Sequence, residues 1–152
     1  MKRTIRIIAL VLTISICFSF VAFASNSVMP YSSAYLDSYT TKLSLISGTT
    51  KLQICFNVSG VRILDEIGTK KIVLQRSTNK TVWTTVKTFT PDQYPRMLGT
   101  ETDYHAAYVE YTATRGYYYR AYITIWGGKD GGGDSRYVYT NIVNLIGSTG
   151  SP

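Results

Sequence analysis

From about residue 34 onward the chain alternates apolar and polar residues, and that alternation predicts strands almost throughout. Between Lys51 and Ser59, Leu52, Ile54, Phe56 and Val58 share one face while Gln53, Cys55, Asn57 and Ser59 share the other, the period of two of a half-buried strand. Leu43 and Leu45, with Tyr39 ahead of them, carry the same period, and Ser47-Gly48-Thr49-Thr50 supplies turn residues between the runs. The pair reads as a hairpin.

Leu64-Asp65-Glu66-Ile67-Gly68 then breaks the alternation and ends in a glycine suited to a tight turn, which predicts a single helical turn between strands. Lys71 to Arg76 follows as a strand, Ser77-Thr78-Asn79-Lys80 as a turn, and Val82 to Thr90 as the returning strand with Trp83 as its large apolar anchor. Pro91 to Asp103 holds two prolines, a glycine and little apolar period. It reads as a long loop, the first candidate for a variable functional surface.

In the last third, Tyr104 to Thr112, Tyr117 to Trp126 and Arg136 to Asn144 are rich in Tyr, Val, Ile and Thr, as strands are. Arg115-Gly116 separates the first two; a glycine-rich stretch from Gly127 to Asp134 reads as a flexible hairpin connection between the last two. In the middle strand Tyr117, Tyr119, Ala121, Ile123 and Ile125 share one face, and Tyr118, Arg120, Tyr122, Thr124 and Trp126 the other. Seven strands, no competing helical period and no internal repeat predict an all-β fold: a single antiparallel β-sandwich domain over residues 34–146.

The first 24 residues follow another logic. Lys2, Arg3 and Arg6 form a positive start, Ile7 to Phe20 is apolar, and Ala22-Phe23-Ala24 offers small residues at both recognition positions. This predicts a signal peptide, residues 1–24, cleaved between Ala24 and Ser25, and hence a secreted protein with no stable membrane insertion after cleavage. The stretch is about long enough for an uncleaved anchor, and Cys17 raises a lipoprotein; Ala22 and Ala24 argue against the first, and Ser15-Ile16 before the cysteine against the second. Residues 25–33 read as an extended arm and 147–152 as a flexible tail.

Removing the signal changes the chemistry. Of 152 residues 128 remain, and three of the 16 basic residues are lost, leaving 13 against 9 acidic ones, a formal charge of +4 where the whole chain has +7. Apart from Lys70-Lys71 the remaining cations are scattered singly, with no stripe to neutralise consecutive phosphates, so no nucleic-acid partner is expected. A mild positive balance favours anionic cell-wall polymers. Cys55 becomes the sole cysteine, excluding an intramolecular disulfide.

At Gly116-Tyr117-Tyr118-Tyr119-Arg120-Ala121-Tyr122-Ile123 the chain resembles the start of strand F in immunoglobulin-like and fibronectin type III-like domains. The resemblance implies that Tyr119 is a corner tyrosine bonding back to the preceding turn, with Ala121 and Ile123 in the core. Asp65-Glu66-Ile67-Gly68, Ile72-Val73-Leu74-Gln75, Trp83 and Gly116 to Ala121 together resemble a group of short exported proteins of Gram-positive bacteria, mostly of uncharacterised function. That implies an exported β-sandwich and brings no active site with it.

Catalytic chemistry finds little support. His105 is the only histidine, and no spacing selects a nucleophile and acid to join it. Adjacent Asp65 and Glu66 would diverge on a helical turn. Cys55 reads as a shielded small hydrophobe, with an intermolecular disulfide or a reactive thiolate as alternatives. Asp130 and Asp134 flank three glycines, but the calcium-loop spacing is absent. No cofactor, no metal and no enzymatic activity are expected. The strongest hint is aromatic: all 13 tyrosines follow the signal, and Tyr118, Tyr122 and Trp126 share a face that would make a platform for sugar rings or a protein partner. Cross-strand pairing that only stabilises the sheet is the plainer account. The expectation is a secreted, non-catalytic binding or adhesion module for a cell-wall glycan or surface protein; the alternative is a secreted effector or bacteriocin-like protein.

Overall fold

The alternation is realised as strand in a computed structural model that describes residues 33–147. The signal peptide with Ala22, Ala24 and Ser25, nearly all of the arm, and the tail beyond Gly147 lie outside the described residues. Seven antiparallel strands are formed: β1 (Leu36–Leu45), β2 (Lys51–Ser77), β3 (Thr84–Phe89), β4 (Leu98–Thr112), β5 (Tyr118–Lys129), β6 (Gly132–Tyr139) and β7 (Val143–Asn144). A three-residue 3-10 turn, Pro95–Met97, precedes β4.

Everything is organised on β2. Its first half pairs with β1 on one side, from Leu45↔Leu52 to Leu36↔Gly60, and with β4 on the other, from Lys51↔Thr112 to Ser59↔Tyr104. Its second half pairs with β3, from Ile72↔Phe89 to Arg76↔Thr84, and with β5, from Glu66↔Gly128 to Ser77↔Tyr118. β6 and β7 then add to β5. Between the halves the register with β4 shifts from Ser59 to Leu64, and Val61, Arg62 and Ile63 stand in solvent. A strand that breaks register there bends, and the sheet curls. Leu52, Ile54, Phe56 and Val58 from the first half therefore join Ile72, Leu74, Tyr119, Ala121, Ile123 and Ile125 in one core cluster. Each fully buried Ile, Leu or Phe there contributes about 1.5 to 3 kcal/mol.

Where the curl brings β1 toward the chain's last strands, a side chain joins them. Asn141, between β6 and β7, donates from Nδ2 to the Leu43 carbonyl at 2.8 Å and accepts from the Leu43 N–H at 3.0 Å. Its amide takes the place that a strand's peptide group would fill.

Four expectations change. Residues 64–68 are strand, not a helical turn: the bend buries both Leu64 and Ile67, three apart, which mimics helical spacing. Gly68 has φ 142, and a Cβ on it would collide with the Met97 carbonyl, so glycine is required for the close approach of the turn before β4. The stretch from Pro91 to Asp103 is only partly loop; the prolines belong to a short connection, and residues 98–102 pair with 64–68 of β2. Gly127 to Asp134 is no flexible connection, because β5 runs to Lys129 and β6 starts at Gly132. Asp130 (φ 52) and Gly131 (φ 77) make the two-residue turn that suits a hairpin's twist. Trp83 lies before β3 and outside the core, where Phe89 is the buried anchor of that strand. The strand count of seven agrees by compensation: two expected strands are the single β2, and the last expected strand is β6 and β7.

Candidate functional site

The polar face of β5 turns outward as the alternation requires, with Tyr118, Arg120, Tyr122, Thr124 and Trp126 all half-buried beside a fully buried inner row. Register sets their neighbours. Tyr122 lies opposite Tyr139 and Thr124 opposite Tyr137 on β6, while Gln75, Val73 and Lys71 of β2 lie opposite Arg120, Tyr122 and Thr124.

Tyr118, Tyr122 and Trp126 thus reach one face, as expected, but each is covered. The Lys80 ammonium sits 4.5 Å over the Tyr118 ring. Tyr122 stacks on Tyr137 at 6.0 Å with the rings 8° apart, and tilts against Tyr139 at 4.8 Å. Trp126 lies under Lys70 at 4.9 Å, donates its Nε1–H to Glu66 Oε2 at 3.3 Å, and is backed by Gly133, where any Cβ would strike the ring. The open area belongs to Tyr137 and Tyr139, 64% and 51% exposed.

Arg120 completes the row. Its guanidinium carbon is 4.1 Å from the Trp83 ring centre and 4.3 Å from that of Tyr139, and its Nε donates to Gln75 Oε1 at 2.9 Å. Trp83, Arg120, Tyr139, Tyr122 and Tyr137 therefore follow one another across the face. No family model matches the chain, and no curated protein matches it. It is similar to a solved structure, Spo0M, a sporulation control protein from Bacillus subtilis, with 11% identity and a TM-score of 0.42. That match covers 76% of this chain and 50% of the other.

The sequence places Arg120 on the face of Tyr118, Tyr122 and Trp126, and Tyr137 and Tyr139 on a neighbouring strand, but it does not bring Trp83 to that face or show which rings stay open. The Asp130-Gly131 pair holds the missing signal for β6: a two-residue turn fixes partners symmetrically about itself, which places Tyr139 opposite Tyr122.

The other candidates are placed elsewhere. His105, on β4, pairs with Val58 of β2, its ring 6.0 Å from that of Phe56, and its Nε2–H donates to the Arg96 carbonyl at 2.8 Å. It holds the 3-10 turn against the sheet. Cys55 sits between Lys42 and Tyr108 on the outer side of the β1-β2-β4 half, beside a shallow groove of about 370 Å³ lined by Thr40, Thr41, Lys42, Cys55, Phe56 and Asn57. Burial pushes its thiol pKa up, against the opposing pull of Lys42, so the thiolate is disfavoured. Asp65 accepts the Asp130 N–H at 2.7 Å, and Asp134 pairs with Arg136. Among the described residues no three His, Cys, Asp or Glu side chains converge as metal ligands. The Lys70 hydrogen bond holds the Glu66 carboxyl below its usual range, with burial opposing. Burial acts to raise the Asp134 carboxyl, but hydrogen bonds from Ser33 and Arg136 and the Arg136 charge bring it below the usual value. No helix among the described residues is long and apolar enough to cross a membrane.

Proposed function

We propose that this chain is an exported, non-catalytic binding module, a β-sandwich of immunoglobulin or fibronectin type III-like type, that adheres through the outer face of β5 and β6 to a cell-wall glycan or surface protein. The observation that carries the reading is the exposure of Tyr137 and Tyr139 on a row of fixed rings. Flat apolar area with a polar rim suits sugars and protein partners alike, and neighbouring contacts hold the rings without help from a ligand. The Tyr119 hydroxyl supports the domain type: it accepts the Thr114 N–H at 3.0 Å and donates to the Thr114 carbonyl at 2.9 Å, the bond back to the turn expected of a corner tyrosine.

The test is retention of purified protein on cell walls and on a surface-protein fraction, wild type against Tyr137→Ala/Tyr139→Ala. Both rings are exposed, so the variant keeps its fold, losing about 0.2 to 1 kcal/mol per pair. Retention on one of the two materials falls by about tenfold or more when contact residues are truncated. Equal retention of wild type and variant overturns the reading.

A further inference from the structure

Resting on that reading of the face, we propose that its ligand is a polysaccharide carrying phosphate or carboxylate groups and that Arg120 is the residue that binds the anion. Three observations converge on Arg120. First, its position is set in advance. Trp83 flanks it from the β2-to-β3 turn, Tyr139 from β6, and Gln75 holds Nε from β2. A side chain ordered before binding loses less freedom when it binds. Second, the rest of the fork is open. Among the described residues Nη1 and Nη2 have no hydrogen-bond partner, yet the one buried side-chain polar atom left without a partner is Thr69 Oγ1. The two Nη groups therefore reach solvent, presenting the paired N–H donors that match an oxyanion.

Third, the face carries cations that form no ion pair among the described residues. Lys71 and Lys80 make no ion pair among the described residues, and neither does Arg120. Glu66, the carboxylate against Trp126, is taken by Lys70 at 2.7 Å. Alongside the cations lie the open rings of Tyr137 and Tyr139, two residues apart on one strand and so separated by about 7 Å. Ring and cation alternate through Trp83, Arg120 and Tyr139. A charged polysaccharide repeats the same two features, a flat ring and an anion, at short intervals. Tyr139 serves both, packing against Arg120 and, at 51% exposed, offering open ring area to a sugar.

The experiment is calorimetric titration of the purified protein with neutral dextran, carboxymethyl dextran and phosphorylated dextran, one backbone with three charges. Both charged polymers are expected to bind at least about tenfold tighter than neutral dextran, as charge-assisted hydrogen bonds require, and the stronger of the two identifies the anion. Arg120→Lys keeps the charge but not the fork and lowers affinity for the charged polymers by about tenfold. Gln75→Ala, which frees Nε and leaves Arg120 intact, lowers it by about threefold, and decides the matter should Arg120→Lys fail to fold. Lys51→Gln, at the start of β2, controls for net charge and changes affinity less than about twofold.

Equal binding of charged and neutral dextran overturns the inference, as does a Lys51→Gln loss matching that of Arg120→Lys. In either case neutral dextran or a cell-wall fraction that still needs Tyr137 and Tyr139 leaves the binding-module reading standing. Retention by surface protein alone, with no dextran bound, also overturns the inference and moves the ligand to the other class.

Discussion

The Tyr119 hydroxyl both donates to and accepts from Thr114, so one oxygen closes the turn before β5. Tyr119→Phe keeps the ring in the core and removes both bonds. It should lower stability by about 1 to 2 kcal/mol, read as a lower urea midpoint at unchanged slope. This residue was legible in the sequence because its partner is five positions away and the pattern from Gly116 is local. Arg120 was not, because its rings come from the turn before β3 and from β6, and no spacing encodes that meeting. Glu66 ties charge to pH. Its folded pKa is depressed, so its contribution is full above the ordinary carboxylate range and is lost as pH falls through the folded value. Glu66→Gln should cost about 0.5 kcal/mol at neutral pH, the scale of an exposed pair, and melting curves of the two proteins should converge once the carboxyl is protonated.

Among elements, the Asp130-Gly131 turn sets which side chains of β5 and β6 meet. Gly131 at φ 77 lies where a Cβ is disfavoured. Gly131→Ala should therefore lower stability by about 1 kcal/mol, while Gly131→Asn, whose side chain tolerates that conformation, should lose less; thermal unfolding ranks the two. Here the glycine run by composition points to a loose connection, although Asp-Gly is also a strong hairpin signal. The reverse error occurred at residues 64–68. Leu64 and Ile67 are both buried because the strand bends between the halves of the sheet, and a bend driven by distant packing has no local mark. Strands that keep a strict period of two, such as residues 51–59 and 118–126, were legible with the correct face inward.

For the whole molecule, the curl is held at its seam by Asn141. Asn141→Ala strips Leu43 of two partners and should lower stability by about 1 to 3 kcal/mol. Asn141→Asp, which keeps the acceptor for the Leu43 N–H and loses the donor to its carbonyl, should fall between, and chemical denaturation of the three proteins checks the order. Nothing in the sequence pairs Asn141 with Leu43, 98 positions away, since only the closed sheet brings them together. The all-β class is readable from the alternation; the merging of two expected strands into β2 and the division of the last into β6 and β7 are not.

The continuous run of β2 through both halves has a consequence for recognition. Because one 27-residue strand supplies the middle of both halves, its first part to one and its last part to the other, and β4 pairs along both parts, two strands run through the junction and tie the halves together. A face on such a body is offered as it stands. Selection of a ligand then rests on fit to a fixed outline, with side-chain adjustment at the rim as the remaining freedom.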